Sequence, residues 1–342
     1  MKVLITHELF LPECYCMGER VVYEIAKRLK QKNFEIEILT TGNPSIKEFD
    51  NIKTFRLPIN RYLMNLAIPW IYKHAKDVDL IQTNNYNACF PSFVVGKLLN
   101  RPVVCLVHGM YGSKWLKMRG KFLGSLSMLV EKFQIKHNYN KIIFLSDFAR
   151  NEGLNLGIPR KITKVIKPGI EYKKYKMKKK EPFVLFVGRL AMQKGLDYLI
   201  DAAKELPEIK FVIVGTGEQE KRLKSIAPKN VEFLGYVPEK ELINLYSRAL
   251  IFCLPSIGET FGFVQLEAMA SGCVIISTIP LNYNGIKVEV GDSKQIISAI
   301  KYLIKNPDIA LKMGKMNREK AKYYDWGRFI NKLIEIYKEV LY

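Results

Sequence analysis

The sequence predicts an α/β chain of two doubly wound domains, each a parallel sheet with helices on both faces. Three observations predict it. The length, 342 residues, is more than one hydrophobic core usually serves. Apolar strand-like runs alternate with helical periodicity, the pattern of a parallel sheet. The alternation stops at a lysine-rich stretch near the middle and then starts again. Two such domains facing each other place a cleft between the carboxyl ends of their sheets, where ligands of such folds bind.

The first series of strands is KVLIT (2–6), FEIEILT (34–40), VDLIQT (78–83), PVVCLVH (102–108), KIIFLS (141–146) and ITKVI (162–166). Helical segments separate most of them, the clearest being the stretch to Leu29, where Val21, Val22, Ile25, Ala26 and Leu29 share one face. The second series is FVLFVG (183–188), KFVIVG (210–215), VEFLG (231–235), ALIFCLP (249–255) and CVIIS (273–277). Its helices are predicted near 194–205, 217–227, 239–248 and 262–271, with a helical tail ending in RFINKLIEIYKEVL (328–341). Between the series lies KPGIEYKKYKMKKKEP (167–182), with six lysines between 173 and 180, which reads as a solvated linker. The expected organisation is a first domain over 1–170, a basic linker over 171–182 and a second domain over 183–325. A helix over 326–342 is expected to return to the first domain.

The net charge is +21, and residues 1–170 hold 26 Lys and Arg against 13 Asp and Glu. Such a balance suits polyphosphate ligands, an anionic membrane surface or nucleic acid. No single-strand platform or helix–turn–helix pattern supports nucleic acid. No run approaches the roughly 18 apolar residues of a membrane-spanning helix. His7, Glu8, Pro12 and Glu13 interrupt the start, unlike a signal peptide, so a cytoplasmic location is expected. Of the six cysteines, Cys105, Cys253 and Cys273 lie in strand-like runs, and Cys14 and Cys16 lack a second pair at zinc spacing. Neither a disulfide framework nor a metal or other cofactor is expected.

The chemistry concentrates in LPSIGETFGFVQLEAMASGCVIIS (254–277). A strand ends at Pro255, a loop carries Glu259, and a helix begins near Gly262. The N–H groups of Gly262 and Phe263 at a positive helix end suit a diphosphate. Glu259 and Glu267, eight positions apart, suit the hydroxyls of a sugar and a ribose. VGRLAMQKG (187–195) adds Arg189 just after a strand and Lys194 at a helix start, both natural phosphate partners.

Taken together, GR-L-x3-KG and E-T-F-G-F-V-x-x-E-A-M-A-S-G resemble the family 4 glycosyltransferases. The resemblance runs from HELFLP (7–12) and GERVVYEIAKRL (18–29) to the YDW segment (324–326). It implies the GT-B architecture, two Rossmann-like doubly wound domains facing across a cleft. It also implies sugar transfer from a nucleotide-diphosphate sugar to a hydroxyl acceptor, with retention of configuration. By position, Arg189 and Lys194 would neutralise the diphosphate, with Gly188 beside them. Glu259, Thr260, Phe261, Gly262 and Phe263 would hold the sugar and phosphates, and Glu267 the ribose. Val237 would line the base. His108, in CLVHGM, would face the donor sugar from the first domain, making His108, Arg189, Lys194 and Glu259 the expected catalytic set. The resemblance also implies that the donor's own phosphate is the base for the acceptor hydroxyl; no obvious nucleophile is visible, and no covalent intermediate is assigned.

Two departures stand out. The family's opening loop, G-G-x-E, is here Cys16, Met17, Gly18 and Glu19, which bears on how Met17 and Gly18 meet the diphosphate. The loop STIPLNYNGIKVEVGD (277–292) lacks a glycine-rich, Glu-containing insertion. In the first domain, Lys114, Trp115, Lys117, Arg119, Lys121 and Phe122 form a basic, aromatic segment without acids, and IPWIYKHAK (68–76) is a second such stretch. Such segments lie on anionic bilayers or pack as a helix with a cationic outer face. The first leads to a peripheral membrane enzyme with a glycan or lipid-linked acceptor. A sugar-nucleotide epimerase of the same architecture and a non-catalytic carbohydrate- or nucleotide-binding protein are the alternatives. A dinucleotide-dependent oxidoreductase is disfavoured, because Glu220 stands where VGTGEQE needs its third glycine.

Overall fold

The structure is a computed structural model. It describes every residue except Tyr15, Cys16, Thr260 and Pro280, and of Lys117 only the backbone. The chain forms two compact units: Met1–Gly169 together with Trp326–Tyr342, and Ile170–Asp325.

In the first unit the strands are β1 (Lys2–Thr6), β2 (Glu35–Thr41), β3 (Glu48–Phe49), β4 (Ile52–Leu57), β5 (Leu80–Asn84), β6 (Val103–Val107), β7 (Lys141–Phe144) and β8 (Thr163–Val165). They form one sheet in the order β3-β4-β2-β1-β5-β6-β7-β8, parallel except for β3. Helices α1 (Met17–Gln31), α2 (Ile68–Ala75), α3 (Cys89–Leu98), α4 (Lys114–Ile135) and α5 (Asp147–Asn155) connect them. The central strands are buried because helices cover both faces. Val3, Leu4 and Ile5 of β1 and Val104, Cys105 and Leu106 of β6 are fully buried.

The chain leaves β1 toward β2 on one side and later adds β5 on the other. Successive connections therefore diverge at the carboxyl ends of β1 and β5, opening a crevice there. His7 follows β1, and Asn84 ends β5.

The second unit repeats the design with β9 (Glu181–Val187), β10 (Lys210–Val214), β11 (Val231–Gly235), β12 (Ala249–Leu254), β13 (Val274–Ser277) and β14 (Gly285–Lys287), in the order β11-β10-β9-β12-β13-β14. Its helices are α6 (Leu196–Lys204), α7 (Glu220–Ile226), α8 (Glu239–Arg248), α9 (Phe263–Ala270), α10 (Ser293–Lys305) and α11 (Pro307–Ala321). Here the connections diverge between β9 and β12. Those two strands launch the segments carrying Arg189 and Lys194 on one side and Glu259 on the other.

Helix α12 (Trp326–Leu341) belongs to the first unit. Phe329, Ile330, Leu333, Ile336 and Tyr337 form its buried face, and the Tyr337 hydroxyl bonds Gln82 of β5. Lys141 holds Glu339 at 2.6 Å.

Residues 171–182 are not a solvated tether. Tyr175 is buried, and its carbonyl accepts from Arg318 at 2.7 Å. The Lys180 ammonium donates to the carbonyls of Tyr246 (3.1 Å) and Ser271 (2.8 Å), and burial lowers its pKa. The other lysines of the run are exposed. The apolar side chains between them anchor the segment to the second core, a pattern that the charge count hides.

Candidate active site

In the second unit, three loops meet at the carboxyl edge of the sheet. The loop after β9 begins at Gly188, whose N–H donates to the Val214 carbonyl at 3.0 Å. Gly215, after β10, lies so close that a Cβ on it would fall 2.0 Å from the Gly188 carbonyl oxygen. A Cβ on Gly217 would fall 2.4 Å from the Leu190 oxygen. Only glycine admits such an approach, so these residues let the two loops run backbone against backbone. Arg189 leaves this junction exposed and is paired with Glu218 at 3.2 Å.

Lys194 closes a short turn (Met192–Lys194), and Gly195 then takes a left-handed conformation, φ +66°, before α6. A Cβ at Gly195 would fall 2.2 Å from the Pro255 carbonyl oxygen. Gln193 ties the same two loops together, its carbonyl accepting from Ile257 (2.8 Å) and Gly258 (3.3 Å). This clamp sets Glu259 against Lys194, and the two form an ion pair with both side chains mostly buried.

Gly262, φ +81°, turns the chain into α9. The first amides of a helix lack intrahelical acceptors and lie at the positive end of its dipole. Phe261 is buried and Phe263 partly so, their rings 4.9 Å apart edge to face. Glu267 follows about one turn later. It is 5% exposed and accepts a hydrogen bond from the buried Tyr246 hydroxyl at 3.1 Å. Burial, with Glu267 adding to it, pushes the Tyr246 phenol well above its ordinary pKa, so Tyr246 stays a donor. Val237 is buried after β11, while Thr260 lies outside the described residues.

In the first unit, Met17 and Gly18 open α1, both partly exposed. A Cβ on Gly18 would lie 3.7 Å from His7 Nε2, in ordinary contact. His108 follows β6. Its ring stands 5.3 Å from that of His7, and its Nε2 lies 2.8 Å from Asn84 Oδ1. Burial, with His7 adding to it, holds the His108 pKa well below the usual histidine value. Glu19 approaches His7 at 3.7 Å. Burial raises its pKa, but His7 and Arg61 more than offset this, and the net shift is downward.

Sequence reasoning did not single out His7, Asn84 or Asn85 as site residues. Each stands immediately after an apolar strand run or at its end, VLIT-H or LIQT-NN, and that position was the available signal.

The basic segment divides. Lys114 lies 4.1 Å over the Phe148 ring, and Trp115 sits between Tyr111 and Arg119, so these are occupied within the unit. At Gly120, φ +73° and ψ 173°, α4 breaks its helical path. Beyond the break Lys121 is exposed and Phe122 is 84% exposed. Leu126, Leu129, Val130 and Phe133 continue an exposed apolar face at helical spacing. Tyr62, Leu66 and Trp70, before and within α2, are further exposed apolar groups of this unit.

Among the described residues no three His, Cys, Asp or Glu side chains are grouped to hold a metal ion. No helix among them is long and apolar enough to cross a membrane.

Comparisons with known proteins agree with this layout. Residues 18–174 match the family model "Glycosyltransferase Family 4", and residues 170–320 match "Glycosyl transferases group 1". An uncharacterised glycosyltransferase of Methanocaldococcus jannaschii is 26% identical, the match covering 93% of each chain. Among solved structures, a sucrose-phosphate synthase from Thermosynechococcus elongatus superposes with a TM-score of 0.85 at 21% identity, covering 99% of this chain and 98% of that one. An Anabaena protein solved with UDP-glucose gives 0.82 at 19% identity, covering 99% and 100%. These two likenesses are of fold. The chain belongs to the family 4 glycosyltransferases, a retaining, nucleotide-sugar-dependent family, and has their GT-B fold.

Proposed function

We propose that the second unit binds a nucleotide-diphosphate sugar and that the first unit serves a hydroxyl acceptor, a glycan or a lipid-linked glycan. The observation that carries this reading is the pairing of Lys194 with Glu259 where β9 and β12 diverge, with Arg189 on the same loop as Lys194 and α9 starting just after Glu259. A nucleoside diphosphate leaving group develops negative charge, and fixed cations and helix amides stabilise it. In this reading Arg189 and Lys194 face the diphosphate with Gly188, Glu259 and residues 260–263 hold the sugar, and Glu267 meets the ribose. Val237 lies by the base, His108 meets the donor sugar, and Met17 and Gly18 approach the phosphates. A carboxylate paired with the diphosphate-binding lysine also suits sugar transfer better than mere nucleotide capture, because it can take a sugar hydroxyl. The Anabaena protein's complex with UDP-glucose supports a donor of this class. The test is incubation with a panel of nucleotide sugars and hydroxyl acceptors, scored by release of nucleoside diphosphate. Release that depends on both partners is expected. Conversion of the donor to an isomer without net release of nucleoside diphosphate would favour the epimerase alternative, and binding without turnover a non-catalytic protein.

A second observation bears on the acceptor. The apolar face of α4 beyond Gly120, with Lys121 and Lys132 on the same helix, suits an anionic bilayer. In this reading the enzyme works peripherally at the cytoplasmic membrane face and takes a lipid-linked acceptor there.

A further inference from the structure

We infer that Tyr246 is a positioning residue whose hydroxyl holds the Glu267 carboxylate in the orientation that receives the ribose hydroxyls of the donor. The inference deepens the proposed donor site and rests on the reading of Glu267 as the ribose contact.

All the groups involved belong to the second unit. Glu267 lies in α9 with 5% of its surface exposed. A carboxylate so placed has lost most of its water and needs hydrogen-bond donors to stay charged. The Tyr246 hydroxyl meets its Oε2 at 3.1 Å. The phenol donates and the carboxylate accepts, so the bond fixes one oxygen and favours the ionised form. A carboxylate has about four acceptor sites, and the tyrosine occupies one of them. Two neighbouring ribose hydroxyls are donors that such an oriented acceptor suits.

Tyr246 is itself held on three sides. It has no exposed surface, so it touches no ligand and acts only through Glu267. Its ring is caged between Tyr175, edge to face at 6.4 Å, and Phe252 of β12 at 5.9 Å. Its carbonyl accepts from the Lys180 ammonium at 3.1 Å and from the Cys273 thiol at 3.2 Å. Lys180 also donates to the carbonyl of Ser271, the residue that closes α9, at 2.8 Å. The lysine-rich segment thereby ties the end of α8 to the end of α9, the two helices that carry Tyr246 and Glu267. Burial, with Glu267 adding to it, keeps the phenol protonated to well above the ordinary pKa of tyrosine, so it remains a donor at neutral pH.

The test is calorimetry of the full chain with UDP, GDP and ADP, each beside its 2′,3′-dideoxy counterpart. Wild type is expected to bind one ribonucleotide about tenfold or more tightly than the dideoxy form, the scale of hydrogen bonds to a charged group. Tyr246→Phe removes only the hydroxyl. It is expected to weaken that ribonucleotide about fivefold and to leave the dideoxy form within about twofold of wild type, so the preference for ribose shrinks. A hydroxyl that served packing alone would weaken both nucleotides alike. That result, or no change in either, would overturn the inference. If Tyr246→Phe does not fold, proton NMR of tyrosine-labelled wild type decides. The buried Tyr246 hydroxyl proton should shift when the ribonucleotide binds and hold its place with the dideoxy form and with pyrophosphate. The same response to all three would also overturn the inference. Failure of the underlying reading looks different. Wild type that binds ribonucleotide and dideoxy form equally removes the ribose role of Glu267, and wild type that binds none of the nucleotides removes the donor site itself; either takes the inference with it.

Discussion

Lys194 and Glu259 form an ion pair although 65 positions separate them in sequence. The clamp of Gln193 on Ile257 and Gly258 makes the pairing a product of the fold rather than of chance between flexible side chains. It also means that a diphosphate approaching Lys194 meets an ammonium already shared with a carboxylate.

The two charges should therefore separate binding from turnover. Glu259→Gln releases Lys194 and is expected to tighten nucleoside diphosphate binding about fivefold, on the scale of one ion pair. Its turnover should fall by about a hundredfold, the usual cost of losing a group poised at the reacting centre. Lys194→Ala should weaken the diphosphate and the turnover together. Calorimetry with nucleoside diphosphate, beside steady-state rates, reads both. Weaker binding in Glu259→Gln would show that the pair does not compete with the ligand.

The backbone junctions should tolerate no side chain. Gly195→Ala places a Cβ against the Pro255 oxygen in a left-handed conformation. A cost of about 1–3 kcal/mol is expected, because strain and close contact act together. The loss should appear as a lowered urea midpoint and as weaker donor binding, since the same junction sets Lys194. Gly235→Ala, also at positive φ but with open space around it, is the control for strain alone.

Acid should unlock the first unit through two carboxylates. Glu19 faces His7, and Glu37 lies 3.0 Å from His74 Nδ1; both have pKa values below the usual 4.5, as their partners outweigh the burial that raises them. A lowered folded pKa gives stability that is fully present above the unfolded value and lost as pH falls through the folded one. The unfolding midpoint should therefore decline steeply below about pH 4.5, the unfolded value. Glu37→Gln should flatten that decline while lowering the midpoint at neutral pH. An unchanged acid slope would deny the pair its role.

The α4 face should govern membrane binding without governing folding. Phe122→Glu and Leu129→Glu replace exposed side chains, so stability should move by no more than about 0.5 kcal/mol. Sedimentation with vesicles containing anionic lipid should fall at least several-fold, whereas neutral vesicles should retain little of either protein. Equal partitioning of wild type and variants would leave the face without a lipid role.

The architecture was largely legible because buried parallel strands are continuous apolar runs. KVLIT coincides with β1 to the residue, and ALIFCLP runs one residue past β12. Strand β4, IKTFRL, was not recognised because Lys53 and Arg56 make it look like surface. Arg56 is in fact buried, bonded to Glu13 at 2.6 Å and to the Ile46 carbonyl at 3.2 Å. The second unit's candidate residues stood out in the sequence because they cluster in two short motifs. The surroundings of His108 did not, because they depend on which strands become neighbours. Asn84 reaches His108 only through the pairing of β5 with β6, Asn84 opposite Leu106. Similarly, the exposed face of α4 depends on Gly120 breaking the helix, and a glycine between Arg119 and Lys121 reads like any other helical one.

The sheets end in short strands: β3 has two residues, β8 and β14 three each, and β11 five. An open sheet edge offers unpaired amides and carbonyls on which another chain can extend the ladder. With so few residues at each end, a stray strand gains few hydrogen bonds by adding there, and the net charge of +21 repels further copies from approaching. Two open sheets in one chain thus carry little tendency to self-associate edge to edge, and concentrated solutions should stay free of fibrillar aggregates so long as both units remain folded.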